Sequence, residues 1–311
     1  MKTAKKITAA MTAIVMLGSL GSCMSFNMGN QYANADKYTA GNRDFTEKIN
    51  NIDIDWSSGS VDVEYQEGGK FSVTETSDKS LREEEQVHTW LDGDTLRIQF
   101  CKSGTVINGN VNKKLSVKIP KDTSLSSLDL DGASCEYIFD SISADSIDVD
   151  IASGDGNLKD CSAKTFKIDS SSGDLVMSQK GSADSIETDS ASGGVVITAE
   201  NVGTIDCGSA SGKIDITASE MNSFRASTSS GTVTASLSAM PENIKISSAS
   251  GDVGLTLPEK ADFTLDYDTA SGDLDSTLAM KKDGDNYISG SGKNKMEIDT
   301  SSGDVTIKTA S

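Results

Sequence analysis

The stretch "KIDSSSGDLVMS", Lys167 to Ser178, recurs along this chain with small variations. Further copies read "ETDSASGGVVIT", "DCGSASGKIDIT", "KISSASGDVGLT" and "EIDTSSGDVTIK". A phrase repeated at a fixed period of about 20 residues is the signature of a solenoid, in which each copy forms one coil and stacks on the next. The repeat therefore decides the fold class.

The glycine of each copy defines the period. Successive glycines are separated by 19, 20, 19, 19, 20 and 21 residues: Gly154, Gly173, Gly193, Gly212, Gly231, Gly251 and Gly272. Cys135 stands in the glycine position one step earlier, and Gly303 follows Gly272 after 31 residues, which indicates an insertion. A further copy is centred on Gly59, 76 residues before Cys135, with irregular sequence between them.

Apolar residues alternate with polar ones on both sides of each glycine. Phe166 and Ile186 stand seven residues before their glycines, and Leu175 and Val195 stand two residues after them. A period of two indicates short strands, and stacking at about 4.8 Å turns each apolar position into a continuous column. We therefore predict an all-β fold, a parallel β-helix or β-solenoid with coils of about 19–20 residues. Its glycines lie at tight corners, which need positive φ or leave no room for a side chain.

The N-terminal residues, 1–22, have the layout of a secretory signal peptide. Three lysines precede an apolar run from Ile7 to Leu20, which is shorter than the roughly 20 residues that span a bilayer as a helix. The polar, aperiodic residues 23–44 are predicted to form a flexible tether. Residues 45–311 are predicted to form the solenoid, with irregular first coils and a cap in 45–120 and regular coils in 121–311.

Three segments carry more local predictions. "TWLDGDTLRIQF" predicts a hairpin with Asp92-Gly93 in its turn. The insertion "AMKKDGDNYISG", residues 279–290, is predicted to protrude as a loop. The last copy, "MEIDTSSGDVTIKTAS", is predicted to be the terminal coil with little cap, and so to offer a strand edge for end-to-end assembly.

The charge of the chain excludes one class of partner. Forty-seven acidic residues against 28 basic ones give a net charge of -19, whereas binding to nucleic acid needs clustered Lys and Arg. Such a charge favours solubility and resists self-association. The cysteines other than Cys23 show no C-x-x-C spacing, so their sequence leaves disulfides and buried thiols equally open: Cys101, Cys135, Cys161 and Cys207.

The chain offers little catalytic chemistry. His88 is the only histidine, and its surroundings, "EEEQVHTW", hold no nucleophile motif, so we expect an exposed or half-packed strand residue. Five acids that each follow a repeat glycine would stack about 5 Å apart: Asp155, Asp174, Asp252, Asp273 and Asp304. Because Gly194, Lys213 and Thr232 interrupt this column, solvated turn acids are favoured over a calcium ladder. We predict no enzyme activity, no cofactor and no metal site.

Two resemblances extend these predictions. "LGSC", Leu20 to Cys23, resembles the bacterial lipoprotein processing box, which implies acylation of Cys23. The "LSVKIP" strand and the tandem "SGDV" copies resemble the bacterial "putative adhesin" family of β-strand-repeat lipoproteins, a family of unknown function. This resemblance covers residues 45–311, and the lipoprotein box agrees with it. The resemblance implies a β-solenoid, an extracytoplasmic location and no assigned catalytic residue.

The functional prediction is a non-catalytic, cell-surface lipoprotein whose solenoid binds or scaffolds. Its expected partners are a bacterial membrane, through a lipid on Cys23, and a protein or glycan surface. The alternative is a structural or stress-response accessory protein of the cell envelope, which could assemble end to end.

Overall fold

The computed structural model describes residues 31–107, 111–121 and 123–310. The predicted signal peptide and Cys23 lie outside these residues. Within the described part, strands dominate, and two short 3-10 helices, Ala35–Lys37 and Glu83–Glu85, are the helical elements. None of the described helices is long and apolar enough to cross a membrane. The prediction of an all-β solenoid is confirmed.

The strands are numbered in chain order. The first seven form the two coils nearest the N-terminal end and their cap: β1 Thr39–Ala40, β2 Arg43–Phe45, β3 Asn51–Gln66, β4 Phe71–Ser77, β5 His88–Asp92, β6 Thr95–Gln99 and β7 Lys113–Pro120. The next nine form the regular coils: β8 Leu125–Asp140, β9 Ser143–Ser153, β10 Gly156–Ser172, β11 Leu175–Ser192, β12 Val195–Ser209, β13 Ile214–Thr228, β14 Val233–Leu237, β15 Asn243–Ser248 and β16 Val253–Leu257. The last six are β17 Phe263–Thr269, β18 Leu274–Ser276, β19 Lys281–Asp283, β20 Asn286–Ser289, β21 Asn294–Thr300 and β22 Val305–Thr309.

Each coil contributes one segment to each of two parallel ladders. Sheet A joins the segments that precede the glycines, in the order β6-β3-β8-β9-β10-β11-β12-β13-β15-β21-β17. Sheet B joins those that follow them, in the order β7-β3-β8-β10-β11-β12-β13-β14-β16-β22-β18. Long strands such as β3 and β8 bend from one sheet into the other.

The dry interior consists of the predicted apolar columns. Phe166 pairs with Ile186 and Ile186 with Ile205 in adjacent strands, and all three are buried. On the sheet B side, Ile214 pairs with Val195 and Val233 and is fully buried. Because each coil buries its apolar side chains against its neighbours, no coil could be stable alone.

The repeat glycines lie one above the next in a single corner of the coil. A Cβ built on Gly173 would overlap the carbonyl oxygen of Gly154, and one on Gly212 would overlap that of Gly193. Gly154, Gly173 and Gly193 also have positive φ, between 132° and 149°. The close approach of backbones, which only glycine permits, is thus the general reason for the repeat glycine, and positive φ is an additional reason at some corners.

Hydroxyl groups complete the corners in the second half of the solenoid. The residue three positions before the glycine is buried there, and its side chain accepts a hydrogen bond from the glycine N–H. Ser209 bonds Gly212 in this way, Thr228 bonds Gly231 and Ser248 bonds Gly251, at 2.8–2.9 Å. The phrase S-x-x-G therefore encodes a local turn as well as an inter-coil contact.

The order of the coils departs from the sequence at the N-terminal end. β3, which carries Gly59, lies directly on β8, so Asn51 pairs with Ser127 and Gly59 with Cys135. The intervening chain crosses to the outer side of β3, where β6 and β7 form the outermost coil. Antiparallel strands β4 and β5 cover that coil. The predicted β5–β6 hairpin is present, with Gly93-Asp94 at its tip, one residue later than predicted.

The order also departs at the C-terminal end, where two predictions are wrong. The last copy is not the terminal coil: β21 lies between β15 and β17, and β22 lies between β16 and β18. The predicted protruding loop instead forms the β19–β20 hairpin, and β20 pairs antiparallel with β17 as a cap. The residues that flank each repeat glycine pair at the same offsets in all these coils, so the sequence period does not specify which coils are neighbours.

The predicted tether is wrong over its last residues. β1 pairs with β5 and β2 pairs with β4, while Phe45 is buried. The hydroxyl of Tyr32 donates a 3.0 Å hydrogen bond to the carbonyl of Cys101. From Tyr32 onward the chain is therefore packed on the solenoid, because aromatic residues that looked scattered in a polar sequence find partners in the cap.

A buried lysine closes the core beneath Gly59. The side chain of Lys113 is fully buried and lies over the rings of Phe100 and Trp56, with Nζ 4.0 and 5.0 Å from their centroids. Its ammonium group pairs with Glu75 Oε1 at 2.5 Å and donates to the carbonyl of Glu85 at 2.7 Å. A buried charge is tolerated here because it is both paired and hydrogen-bonded.

The glycine corner gives a direct test of the fold. We expect Gly212→Ala to lower the free energy of unfolding by about 3 kcal/mol or more, because its Cβ would overlap a backbone oxygen that cannot move away cheaply. Gly254→Ala is the matched control, since a Cβ there meets nothing within 4 Å, and its effect should stay within about 0.5 kcal/mol. Urea denaturation of both variants measures the difference; equal midpoints would contradict the proposed reason for the glycine.

Candidate functional site

The residues singled out from the sequence lie mostly in the wall and core. The repeat glycines are structural. His88 is 5% exposed and its Nδ1 lies 2.9 Å from the carbonyl oxygen of Gln86, so the expectation of an exposed or half-packed strand residue is wrong. The four described cysteines are free and buried, and burial raises the pKa of Cys101 to about 11 and that of Cys207 to about 12. None of these groups is placed as an accessible nucleophile.

The turn acids bind the backbone of the neighbouring coil. A carboxylate oxygen of Asp155 accepts the N–H of Asp174 at 2.9 Å, and Asp174 in turn accepts that of Gly194 at 2.7 Å. Asp252 and Asp304 accept in the same manner further along the solenoid. Their role is to join coils. No group of three metal-ligating side chains occurs among the described residues.

A cleft of about 310 Å³ lies at the N-terminal end of sheet A. We call it the aromatic cleft; its lining residues are Tyr32, Ala33, Asn34, Tyr38, Trp90, Asp92, Arg97 and Gln99. They come from three places: the segment before β1, strand β5 and strand β6. The β1–β5 and β5–β6 pairings bring these places together.

Three aromatic rings form one wall of the aromatic cleft. The rings of Tyr32 and Tyr38 are 4.8 Å apart and tilted, and Tyr38 meets Trp90 edge to face at 5.5 Å. Lys37 Nζ lies 4.6 Å from the centroid of the Trp90 ring. Burial raises the pKa of Tyr32 to about 12 and also raises that of Tyr38, so both hydroxyls stay protonated at neutral pH.

Polar side chains of β5 and β6 form the opposite wall. Arg97 Nη1 donates to Asp53, and its Nε donates to Asp92 at 3.3 Å. Burial raises the pKa of Asp53, and the guanidinium of Arg97 opposes that rise. Gln99 is 8% exposed, and its side-chain amide is hydrogen-bonded with the hydroxyl of Tyr38.

Beyond the aromatic cleft, the outer side of sheet A is acidic. We call this surface the acidic face; it comprises Asp53, Asp55, Asp129, Asp131, Asp148, Asp150, Asp169, Glu187, Asp189 and Asp206. In one column, five aspartates follow one another in consecutive coils: Asp55, Asp131, Asp150, Asp169 and Asp189. Lys167 lies in the neighbouring column and pairs with Asp169 at 2.9 Å.

Three acids of this face have raised pKa values. Desolvation within the row, followed by the negative charges of Asp55 and Asp150, raises the pKa of Asp131 from 3.8 to about 6. Burial also raises the pKa values of Asp148 and Asp189, and neighbouring acids add to the effect. Asp131, Asp148 and Asp189 therefore take up protons at a higher pH than isolated aspartates do.

The middle coils of sheet B carry few charges on their outer side. We call this surface the neutral strip; it comprises Ile138, Asn157, Val176, Ser178, Val196, Thr198, Thr217, Thr234, Ser236 and Thr256. Charged residues occupy the same columns nearer the two ends of the sheet: Asp62, Glu64, Lys118, Asp140, Lys159 and Lys308. Ile138, Val176 and Val196 are 45%, 49% and 40% exposed. Asp215 interrupts one column, and Lys213 pairs with it at 2.6 Å.

Sequence reasoning missed the aromatic cleft entirely. Tyr32 and Tyr38 fell within the predicted tether, and Trp90 and Arg97 had no repeat to mark them. The alternation in "TWLDGDTLRIQF" placed Trp90 and Arg97 on strands, and these two residues do pair across the β5–β6 hairpin. No local signal connected that hairpin with Tyr38.

Comparisons with known proteins identify a family. The sequence model of the family described as Toastrack DUF4097 matches residues 49–308. Two solved structures that align with the chain are called a "putative cell adhesion protein", from Clostridium sporogenes ATCC 15579, and a "putative adhesin", from Bacteroides fragilis NCTC 9343. The first is 11% identical, covers 88% of this chain and 100% of its own, and has a TM-score of 0.27. The second is 14% identical, covers 86% and 96%, and has a TM-score of 0.39. No curated protein matches the sequence.

The raised pKa of Asp131 predicts a pH dependence of stability. Because the folded state binds this proton more tightly than the unfolded chain, stability should fall as pH rises from about 4 to about 6. We expect the melting temperature to be higher at pH 5 than at pH 7, by about 2 °C. Asp131→Asn should raise the melting temperature at pH 7 and reduce this dependence.

Asp140 provides the control for this prediction. Ser141 and Lys159 lower its pKa, so its contribution is lost only at a pH below the window tested. Asp140→Asn should therefore leave the change between pH 5 and pH 7 as it is in the parent protein. A melting temperature that falls on acidification from pH 7 to pH 5 would contradict the assignment.

Proposed function

The chain belongs to the Toastrack DUF4097 family, and we propose that it is a non-catalytic, adhesin-like binding protein of the bacterial cell surface, anchored by a lipid on Cys23. Family membership establishes the fold, and the binding function is argued from the surface that this fold presents. The solenoid presents two long faces of different character, one rich in acidic residues on sheet A and one with few charges over the middle coils of sheet B.

The neutral strip is the observation that carries the binding proposal. In a chain with a net charge of -19, sheet B presents valine, isoleucine, serine and threonine side chains over several consecutive coils. Depletion of charge distinguishes the centre of a protein interface from the rest of the surface. A flat, neutral surface with exposed Val176 and Val196 suits a macromolecular partner better than a small substrate.

The placement of the reactive side chains supports a function without catalysis. The single histidine is buried and hydrogen-bonded, and the described thiols are buried with raised pKa values. A nucleophilic or acid–base device needs such groups accessible and near their ordinary pKa or below it. We propose that the solenoid binds its partner without transforming it.

The lipid anchor would hold the solenoid close to the membrane. Eight residues lie between Cys23 and Tyr32, the first residue seen packed on the solenoid, and a chain of that length reaches at most roughly 30 Å. The N-terminal end of the solenoid would then lie nearest the membrane, with the neutral strip extending outward. This geometry supports an extracytoplasmic surface location.

Cys23→Ala tests the anchor. We expect the parent protein to partition with membranes and to incorporate a labelled fatty acid, because two or three acyl chains give stable attachment. The variant should lose the label and appear in the soluble extracytoplasmic fraction. Retention of the variant in the membrane fraction would contradict the proposed role of Cys23, and Cys101→Ala serves as the control that should keep the label.

Val176→Glu tests the binding surface. We expect immobilised protein to retain bacterial cell-envelope fragments, and we expect Val176→Glu to reduce retention at least tenfold, because it places a charge in the neutral strip. Arg225→Gln on sheet A is the matched control, since it also lowers the net charge by one at an exposed position. Equal loss in both variants would show that net charge, and not the neutral strip, governs retention.

A further inference from the structure

We propose that Lys113 and Glu75 condense into an intramolecular amide, which is a covalent crosslink between strands β4 and β7 at the N-terminal end of the solenoid. Nζ of Lys113 becomes bonded to Cδ of Glu75, and one molecule of water leaves. This inference goes beyond the proposed function and is independent of it, because the modification lies inside the molecule and involves neither the neutral strip nor the lipid anchor.

The antiparallel pairing of β4 with β7 brings the two side chains together. Glu75 lies opposite Leu115 and Lys113 lies opposite Ser77, so Glu75 and Lys113 are diagonal neighbours on the same face of the strand pair. The side chain of Lys113 is fully buried, that of Glu75 is 5% exposed, and Nζ lies 2.5 Å from Oε1. An amine and a carboxyl group that are distant in the sequence are therefore held in contact in the interior.

The surroundings of this pair exclude water. The rings of Phe100 and Trp56 have their centroids 4.0 and 5.0 Å from Nζ, and both side chains are buried. Each charge of a buried ion pair carries a desolvation penalty, whereas an amide is neutral. Condensation removes both charges, and the exclusion of water opposes hydrolysis of the product.

Backbone carbonyls orient the amine. Nζ donates hydrogen bonds to the carbonyl of Glu85 at 2.7 Å and to that of Phe100, so two of the three N–H groups of the ammonium are occupied and the third is left for Glu75. When that third proton passes to the carboxylate, the lone pair that it leaves faces the carboxyl group. Burial lowers the pKa of Lys113, although the bond to Glu75 opposes this change, and burial thus favours the neutral amine that the reaction needs.

A backbone N–H holds the carboxyl group for the same step. Oε2 of Glu75 accepts the N–H of Val87 at 2.9 Å. After the first proton has moved from Nζ to Oε1, the Nζ lone pair bonds to Cδ, and the π electrons of the C=O bond move onto Oε2, where this N–H stabilises the developing charge. The electrons return as the Cδ–Oε1 bond breaks, and Oε1 leaves as water with a second proton from Nζ. The ion pair supplies every atom of both products, so no co-reactant is required.

A second ion pair of the same two strands provides a matched control. Lys114 Nζ lies 2.5 Å from Oδ2 of Asp62, which is the same distance as in the buried pair. The side chains of Lys114 and Asp62 are 55% and 23% exposed, so water reaches both charges. We expect this pair to stay ionic, because its charges are not desolvated.

Tryptic peptide mapping of the full mature chain, denatured after purification, tests the crosslink. Glu75 lies in the tryptic peptide 71–79, and Lys113 ends the peptide 103–113. Trypsin does not cleave after an acylated lysine, so we expect one branched product, 71–79 joined to 103–114, with a mass one water below the sum of its two parts. Fragmentation should place the branch at Glu75 and Lys113. Peptide 49–70, which contains Asp62, should be recovered in its linear form.

Lys113→Arg is the control variant, because arginine keeps the positive charge but its guanidinium is not deprotonated in proteins. This variant should yield linear 71–79. The digest of the parent protein decides the inference even if the variant fails to fold. Linear 71–79 and 103–113 as its main products would overturn the crosslink and leave an ordinary buried salt bridge. A loss of water that maps to other residues, or a branch at Asp62, would equally contradict it, since burial would then not select the reacting pair.

Discussion

The close approach of backbones at one corner of every coil is the constraint on which the structure depends. The α-carbon of each repeat glycine lies against the carbonyl oxygen of the residue below it, as Gly173 does on Gly154. This contact holds successive coils at strand spacing and in identical register, so Phe166, Ile186 and Ile205 stack as one column. The packing of the core, and the hydrogen bonds from the backbone to the turn acids of the neighbouring coil, form only when the coils are in that register.

The sequence predicts the coil but not the order of the coils. The period and the alternation fix which side chains point inward, and Ile214 and Val195 lie where they were predicted. They do not decide which coils meet, because parallel pairing looks the same between any two copies. The coil of Gly303 fits between those of Gly251 and Gly272 as well as it would beyond them. The β19–β20 hairpin closes the outer coil and leaves the inner position to the last copy.

The aromatic cleft could not be predicted for a different physical reason. Its residues do not repeat, and they meet only through antiparallel pairings of the cap, such as Ala40 with His88. In the sequence, Tyr32 and Tyr38 are two aromatic residues in a polar segment, and the composition of that segment predicts a flexible tether. Their burial depends on Trp90 and Cys101, which lie more than fifty residues away in the chain. The periodic signals in the sequence therefore predict the coils, whereas the aromatic cleft lies in the part of the chain that has no repeat.

Stacking restricts the inward residues of a solenoid but not the outward ones. In this chain the outward residues of sheet A and sheet B differ in charge. In one column of sheet A five aspartates follow one another, and desolvation together with the charges of Asp55 and Asp150 raises the pKa of Asp131 there. An outer face with so much like charge resists contact with a second copy or with an anionic surface. The middle coils of sheet B carry no comparable row, and a partner that contacts the exposed Val176 and Val196 there has few charges to desolvate. This difference in charge between the two faces is the reason why we place the proposed partner surface on sheet B.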